Sequence, residues 1–310
     1  MSRGLLFPGQ GSQCIGMGKS ISEAFEVARL VFEEVDNTLN IHLSKILFNG
    51  PIEELMLTQN TQPALMAVSV AIARVLQNSG ADIFKNTNSI AGHSLGEYSA
   101  LVVNGSLELS DAARLLRIRG RAMQDSVPVG EGAMAALIGS NIGQARELVS
   151  KSRENEICEI ANDNAPGQVV ISGNKSAIER AINLSKDLGI RKCVILPVSA
   201  PFHCSLMEPA ARVMEEELLK VSFKKFKVPI ISNVTAETET DTKNIKDLLV
   251  KQVTSVVRWR ESIDLMINSG AKDFFELGSG KVLTGIVKRI NPDVNSFSIQ
   301  SVEDLDNFFN

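Results

Sequence analysis

Short apolar runs that stop at glycine or proline alternate along this chain with longer stretches of helical spacing. Gly4-Leu5-Leu6-Phe7 ends at Pro8-Gly9 and predicts a buried strand running into a loop. Ser22 to Leu39 has helical periodicity, and Ala64 to Leu76, apolar and alanine-rich, predicts a buried helix. Ser89-Ile90-Ala91 predicts a strand ending in Gly92, followed by a helix from Leu95 to Val103. Strand, tight turn and helix in succession form the unit of a parallel α/β sheet.

The middle of the chain has a different rhythm. Strands are expected at Ala133 to Ile138, Ile157 to Ala161, Gln168 to Ser172 and Arg191 to Leu196. Helices are expected at Ile142 to Ser152 and at Lys175 to Leu188, the second closed by Gly189. Asn162-Asp163-Asn164-Ala165-Pro166-Gly167 is dense in turn residues and is expected to join the second and third strands. The order βαββαβ is the split pattern of ferredoxin-like folds. The fold class expected is therefore α/β, a large domain over residues 1–130 and 198–310 with a small domain, 131–197, inserted in it. Beyond the insert, helices are expected at Met207 to Val221 and Ile245 to Val253. Strands are expected at Val228 to Ser232 and at Phe274-Phe275-Glu276-Leu277, the latter running into Gly278-Ser279-Gly280.

Composition narrows the classes. In 310 residues, 44% hydrophobic and 22% charged, a sizeable core can be buried. The net charge of −4 argues against a nucleic-acid binder. No apolar run approaches the ~18 residues of a membrane span, and Met1 to Pro8 carries no signal-peptide pattern. Cys14, Cys158, Cys193 and Cys204 form no Cys-x-x-Cys pair, so neither a metal site nor a disulfide framework is expected. Reduced thiols fit a cytoplasmic protein. Two nucleotide-binding patterns fail on spacing. Gly9-Gln10-Gly11 lacks the third glycine, which would fall at Cys14, and Gly18-Lys19-Ser20 lacks the first glycine of a P-loop, which would fall at Gln13.

Gly92-His93-Ser94-Leu95-Gly96 matches G-x-S-x-G, in which a serine on a sharp strand-to-helix turn has its hydroxyl pushed clear of the backbone. The adjoining helix N-terminus favours a developing oxyanion. Ser94 as a plain helix N-cap is the competing reading. A nucleophilic serine needs a base, and the chain has three histidines. His93 adjoins Ser94 and cannot easily turn its ring to that hydroxyl; His42 falls in a surface helix. His203, in Ala200-Pro201-Phe202-His203-Cys204 between a strand and a helix, is the candidate. An acid to orient it is not evident: Asp163 falls in the small domain's turn and Asp187 late in a helix.

From Asp111 to Gln124, Ala112, Leu115, Leu116, Ala122 and Met123 form one apolar helical face. Arg114, Arg117 and Arg121 fall opposite, but Arg119 lands within the apolar face. A buried guanidinium needs an anion, either an internal carboxylate or one belonging to a substrate.

Phe7-Pro8-Gly9-Gln10-Gly11-Ser12-Gln13, Gly92-His93-Ser94-Leu95-Gly96-Glu97, Arg119-Gly120-Arg121-Ala122-Met123, Ala200-Pro201-Phe202-His203 and Gly280-Lys281-Val282-Leu283 occur in that order. Together they resemble the malonyl-CoA:acyl carrier protein transacylases of fatty-acid synthesis, over nearly the whole chain. The resemblance implies an α/β-hydrolase-like large domain with a ferredoxin-like insert. It implies Ser94 as malonyl carrier, His203 as base, Gln10 and Leu95 as oxyanion-hole N–H donors and Arg119 as clamp for the malonyl carboxylate. It implies Gln252 as the residue whose backbone carbonyl orients the histidine, and Phe202 as a malonyl-selecting side chain. Ser279 stands where relatives often carry proline. No cofactor is implied. The partners implied are malonyl-CoA and an acidic acyl carrier protein, with no nucleic acid and no membrane, and a monomer is expected. Lys224, Lys225, Lys227, Arg191, Lys192, Lys288 and Arg289 are candidates to meet the carrier, each equally readable as a solvated charge. Two rivals share parts of this pattern. A thioesterase would use Ser94 and His203 but release acid to water; a carrier-binding module would need neither.

Overall fold

The computed structural model describes residues 2–309. A first strand, β1 (Ser2–Phe7), leads into five helices, α1 (Lys19–Ala24), α2 (Glu26–Leu39), α3 (Leu43–Asn49), α4 (Ile52–Met56) and α5 (Thr58–Asn78). Then come β2 (Thr87–Gly92), α6 (Gly96–Val103) and α7 (Leu109–Asp125). The next segment holds β3 (Gly132–Ile138), α8 (Ile142–Ser152), β4 (Cys158–Ala165), β5 (Gln168–Asn174), α9 (Lys175–Leu184) and β6 (Lys192–Ile195). The chain closes with α10 (Glu208–Leu219), β7 (Ile230–Ile231), β8 (Thr238–Glu239), α11 (Ile245–Gln252), α12 (Trp259–Asn268), β9 (Ala271–Leu277), α13 (Val282–Ile290), β10 (Asn295–Ile299) and α14 (Asp306–Phe309).

Two sheets result. The larger has the order β10-β9-β1-β2-β7-β8 and is parallel except for β8, which turns back on β7. Leu5, Leu6 and Phe7 of β1 are fully buried, as a central parallel strand covered on both faces requires. Helix α5 is buried along nearly its whole length among the helices of one face. The smaller sheet has the order β4-β5-β3-β6, antiparallel throughout. With α8 and α9 on it, this is the ferredoxin-like arrangement of a split βαβ unit. Its own core centres on Leu137, Leu148, Ile171 and Ile178.

Several expected boundaries differ. Ser22 to Leu39 is two helices, because Phe25 is extended (φ −129, ψ 121) and breaks the run. The buried helix begins at Thr58, well before Ala64, and passes through Pro63. Near that start the Asn60 and Thr61 side chains bond the carbonyls of Glu54 and Leu55. The strand expected from Val228 to Ser232 is only Ile230–Ile231, and the helix expected to reach Leu188 ends at Leu184.

The most instructive difference is at Asn162 to Ala165. These residues belong to β4, and only Pro166-Gly167 makes the turn, with Gly167 at φ 78. Turn propensity yields here because the polar side chains find partners across the domain boundary. Asn164 Oδ1 lies 2.9 Å from His93 Nε2, and Asp163 accepts from Arg260 Nη2 at 2.8 Å. The backbone meanwhile keeps its pairing with Val169 and Val170.

Candidate active site

β1 and β2 lie side by side and parallel, so the loops that leave their C-terminal ends meet. That edge is where α/β sheets place chemistry. The turn after β2 is tight enough that only glycine fits around it. A Cβ on Gly92 would sit 1.9 Å from the Gly96 carbonyl carbon, and one on Gly96 would sit 2.2 Å from the Phe7 carbonyl oxygen. Between them Ser94 is held at φ 54, in the left-handed region. Asn233 secures the turn from the side. Its Oδ1 accepts from Ser94 N at 2.7 Å and its Nδ2 donates to the Gly92 carbonyl at 2.7 Å.

His203 reaches this serine from the segment that follows the small domain, also at a left-handed φ of 59. Its Nε2 lies 2.8 Å from Ser94 Oγ, and its Nδ1 lies 2.9 Å from the backbone carbonyl of Gln252. A carbonyl only accepts, so Nδ1 carries the proton. In the neutral ring Nε2 is then free to accept from the serine hydroxyl. Burial, and next the charge of Arg119, hold the imidazole pKa down at about 3, so the ring is neutral at physiological pH.

Arg119 of α7 is 1% exposed. Nη1 donates to Gln62 Oε1 at 2.8 Å; Nη2 donates to Ser94 Oγ at 3.1 Å and to Gln252 Oε1 at 3.0 Å. Among the described residues none of these bonded partners is a carboxylate, and Nε is buried without a partner. Glu97 of α6, also buried, is felt by the guanidinium only as a nearby charge. An arginine desolvated and held by neutral groups is poised to take an anion.

A cavity of about 710 Å³ opens onto these groups, between the small sheet and the large domain. Gln10, Leu95, Phe202, Ser94, His203 and Arg119 all line it. Leu95 immediately precedes the first residue of α6, and Gln10 leaves the end of β1. Gln252 stands behind His203 as just described, so the structure brings Ser94, His203, Arg119, Gln10, Leu95, Phe202 and Gln252 together. His42 is exposed at the start of α3, and His93 is turned away toward Asn164. Asp163 is occupied by Arg260 and Asp187 lies in the turns after α9, so no carboxylate completes a triad from those positions. Ser279 donates to the Ser12 carbonyl at 2.7 Å, a link that proline could not make.

Three side chains here were not foreseen. Gln62 and Asn233 leave no mark in periodicity or spacing. Glu97 does leave one, since it is a charge inside the apolar stretch Leu95 to Val103, the same anomaly that exposed Arg119.

A serine hydroxyl bonded to a histidine beside a cavity, on a strand-to-helix turn, defines a Ser/His acyl-transferring enzyme. Residues 5–298 match the family described as the acyl transferase domain. The chain is 43% identical to the malonyl CoA-acyl carrier protein transacylase of Bacillus subtilis, over 97% of this chain and 94% of that one. It superposes with a TM-score of 0.97 on the acyl-carrier-protein-S-malonyltransferase of Bartonella henselae, at 50% identity and covering 99% and 98% of the two chains. A malonyl-transacylase solved in complex with a type II PKS acyl-carrier protein is 38% identical, with a TM-score of 0.96 and 99% of each chain covered. The chain belongs to the acyl transferase family and, within it, to the malonyl CoA-acyl carrier protein transacylases.

Proposed function

We propose that Ser94 takes a malonyl group from malonyl-CoA and passes it to the phosphopantetheine thiol of an acyl carrier protein, supplying fatty-acid synthesis. The observation that carries this reading is the triangle at Ser94 Oγ, with His203 Nε2 at 2.8 Å and Arg119 Nη2 at 3.1 Å. A thioester carbonyl brought to Oγ has its malonyl carboxylate two carbons away, within reach of that guanidinium.

In the first half-reaction Nε2 takes the hydroxyl proton as Oγ bonds to the thioester carbon. The N–H groups of Gln10 and Leu95 hold the oxyanion. The tetrahedral adduct collapses, the C–S bond breaks, and His203 returns the proton to the departing coenzyme A thiolate. In the second, His203 takes the proton of the carrier thiol, sulfur attacks the serine ester, and Oγ recovers its proton as it leaves. No cofactor enters either half. The Gln252 carbonyl does for Nδ1–H what a triad acid would do, without adding a buried charge. Malonyl at Arg119 also offsets the positive charge that depresses His203, so the base strengthens when the correct acyl group is bound. Phe202 lines the cavity, which supports its reading as a malonyl-selecting side chain. Of the basic candidates for the carrier, Lys224 pairs with Glu108, Lys227 lies over the Phe84 ring and Lys288 is bound to the Val294 carbonyl.

Initial rates measured against both substrates test the two-step scheme. Double-reciprocal plots at several fixed carrier concentrations should be parallel, because the first product leaves before the second substrate reacts. Intersecting lines would show direct transfer within a ternary complex and contradict the Ser94 ester.

A further inference from the structure

Glu97 is a carboxylic acid 1% exposed, three residues beyond the nucleophile, that the reaction scheme leaves without a task. Its Oε2 accepts from Gln252 Nε2 at 2.7 Å and from the backbone N–H of Asn233 at 3.2 Å. Those are the residues that hold the base and the nucleophile. Gln252 offers its carbonyl to His203 Nδ1, its Oε1 to Arg119 and its Nε2 to the Ser94 carbonyl at 3.0 Å. Asn233 holds Ser94 N. The Gln252 amide has a single useful orientation. Were it flipped, its NH2 would face the guanidinium, donor against donor, and the Ser94 carbonyl would face an oxygen. The acceptor at Glu97 is the third partner that opposes the flip, beside Arg119 and the Ser94 carbonyl.

We propose that Glu97 is a positioning residue with a second effect on substrate choice: it locks Gln252 and Asn233 behind the catalytic pair, and its negative charge competes with the malonyl carboxylate for Arg119. The second effect rests on the reading of Arg119 as the malonyl clamp.

Burial pushes the Glu97 carboxyl up to about 7, while the bonds from Gln252 and Asn233 and the charge of Arg119 oppose the rise. The other groups facing it change little near neutrality. Tyr98 on its own helix is held far above its ordinary range by burial. Burial keeps His93 and His203 neutral. Glu239 of β8 is raised by its surroundings and pushes Glu97 in the same direction. Above pH 7 Glu97 is therefore ionised and partly neutralises Arg119. Below it, the carboxyl is protonated and Arg119 meets the substrate with its full charge. Malonyl binding should strengthen as the pH falls, and acetyl-CoA, which has no free carboxylate, should not follow.

The test is KM and kcat for malonyl-CoA and acetyl-CoA between pH 5.5 and 8.5, in the wild type, Glu97→Gln and Arg119→Ala. Glutamine keeps the acceptor oxygen and removes the charge. In the wild type the malonyl KM, divided by the acetyl KM at each pH, should fall by about 10-fold from high to low pH, the size of a one-unit coupling between two charges. In Glu97→Gln that ratio should stay within about 2-fold across the range, whatever the substitution does to kcat. If Arg119→Ala weakens malonyl selectively but wild-type and Glu97→Gln profiles coincide, the Glu97 proposal is overturned while the clamp stands. If Arg119→Ala affects both thioesters alike, the clamp itself fails. A uniform loss of kcat on both thioesters in Glu97→Gln, with the pH dependence of the KM ratio retained, would reduce Glu97 to a structural part. The wild-type profile alone still decides the charge effect if that variant does not fold.

Discussion

Alanine in place of either Ser94 or His203 is expected to lower malonyl transfer by roughly 10⁴-fold or more, and the double variant should be no slower than the worse single one. The reason is that the two side chains act through one hydrogen bond, Oγ to Nε2 at 2.8 Å. Once either end is gone, the other has no function left to lose. His203→Ala keeps the hydroxyl but leaves no group to take its proton, since His93 is committed to Asn164. Ser94→Ala leaves the base intact with nothing to activate. Single-turnover rates on malonyl-CoA for the four proteins measure this directly. Additive losses, with the double variant lower by the product of the single effects, would mean that the residues contribute separately and that the pair is not the catalytic unit.

Arg119→Ala is expected to cost about 30- to 5 × 10³-fold in kcat/KM for malonyl-CoA, corresponding to the ~2–5 kcal/mol lost when one partner of a buried charge pair is truncated. Acetyl-CoA should be affected far less and should gain relative to malonyl-CoA. Two effects on the machinery partly cancel for the acetyl substrate. The serine loses a donor to Oγ, but His203 loses the positive neighbour that holds its basicity down. Arg119→Lys should recover only part of the malonyl rate, because an ammonium cannot present two parallel donors to a carboxylate. The ratio of kcat/KM values for the two thioesters is the measurement. An unchanged ratio would show that Arg119 is merely a structural member of the cavity wall.

Much of this site is legible in the chain because its chemistry breaks local rules. Ser94 shows itself through glycines that nothing else in a strand-to-helix turn would require. Arg119 stands out because a charge occupies an apolar helical face, and the expectation that it needs an anion follows from desolvation alone. His203 emerges because so few histidines compete with it. The two sheets are likewise readable, since a parallel unit and a βαββαβ run differ in spacing. What stays hidden is hidden for a physical reason. Gln62 and Asn233 are neutral amides whose burial is satisfied by partners 57 and 139 or more positions away, and local pattern carries no trace of such pairing. Asn162 to Ala165 misleads in the same way: locally they favour a turn, but contacts to His93 and Arg260 make them strand.

The most direct test of the account is the intact mass of the protein incubated with malonyl-CoA alone, followed by peptide mapping. One malonyl group per chain, on Ser94, persisting until a phosphopantetheine-bearing carrier is added and then discharged to its thiol, is the result expected. No adduct, an adduct on another residue, or steady release of free malonate without the carrier would contradict it.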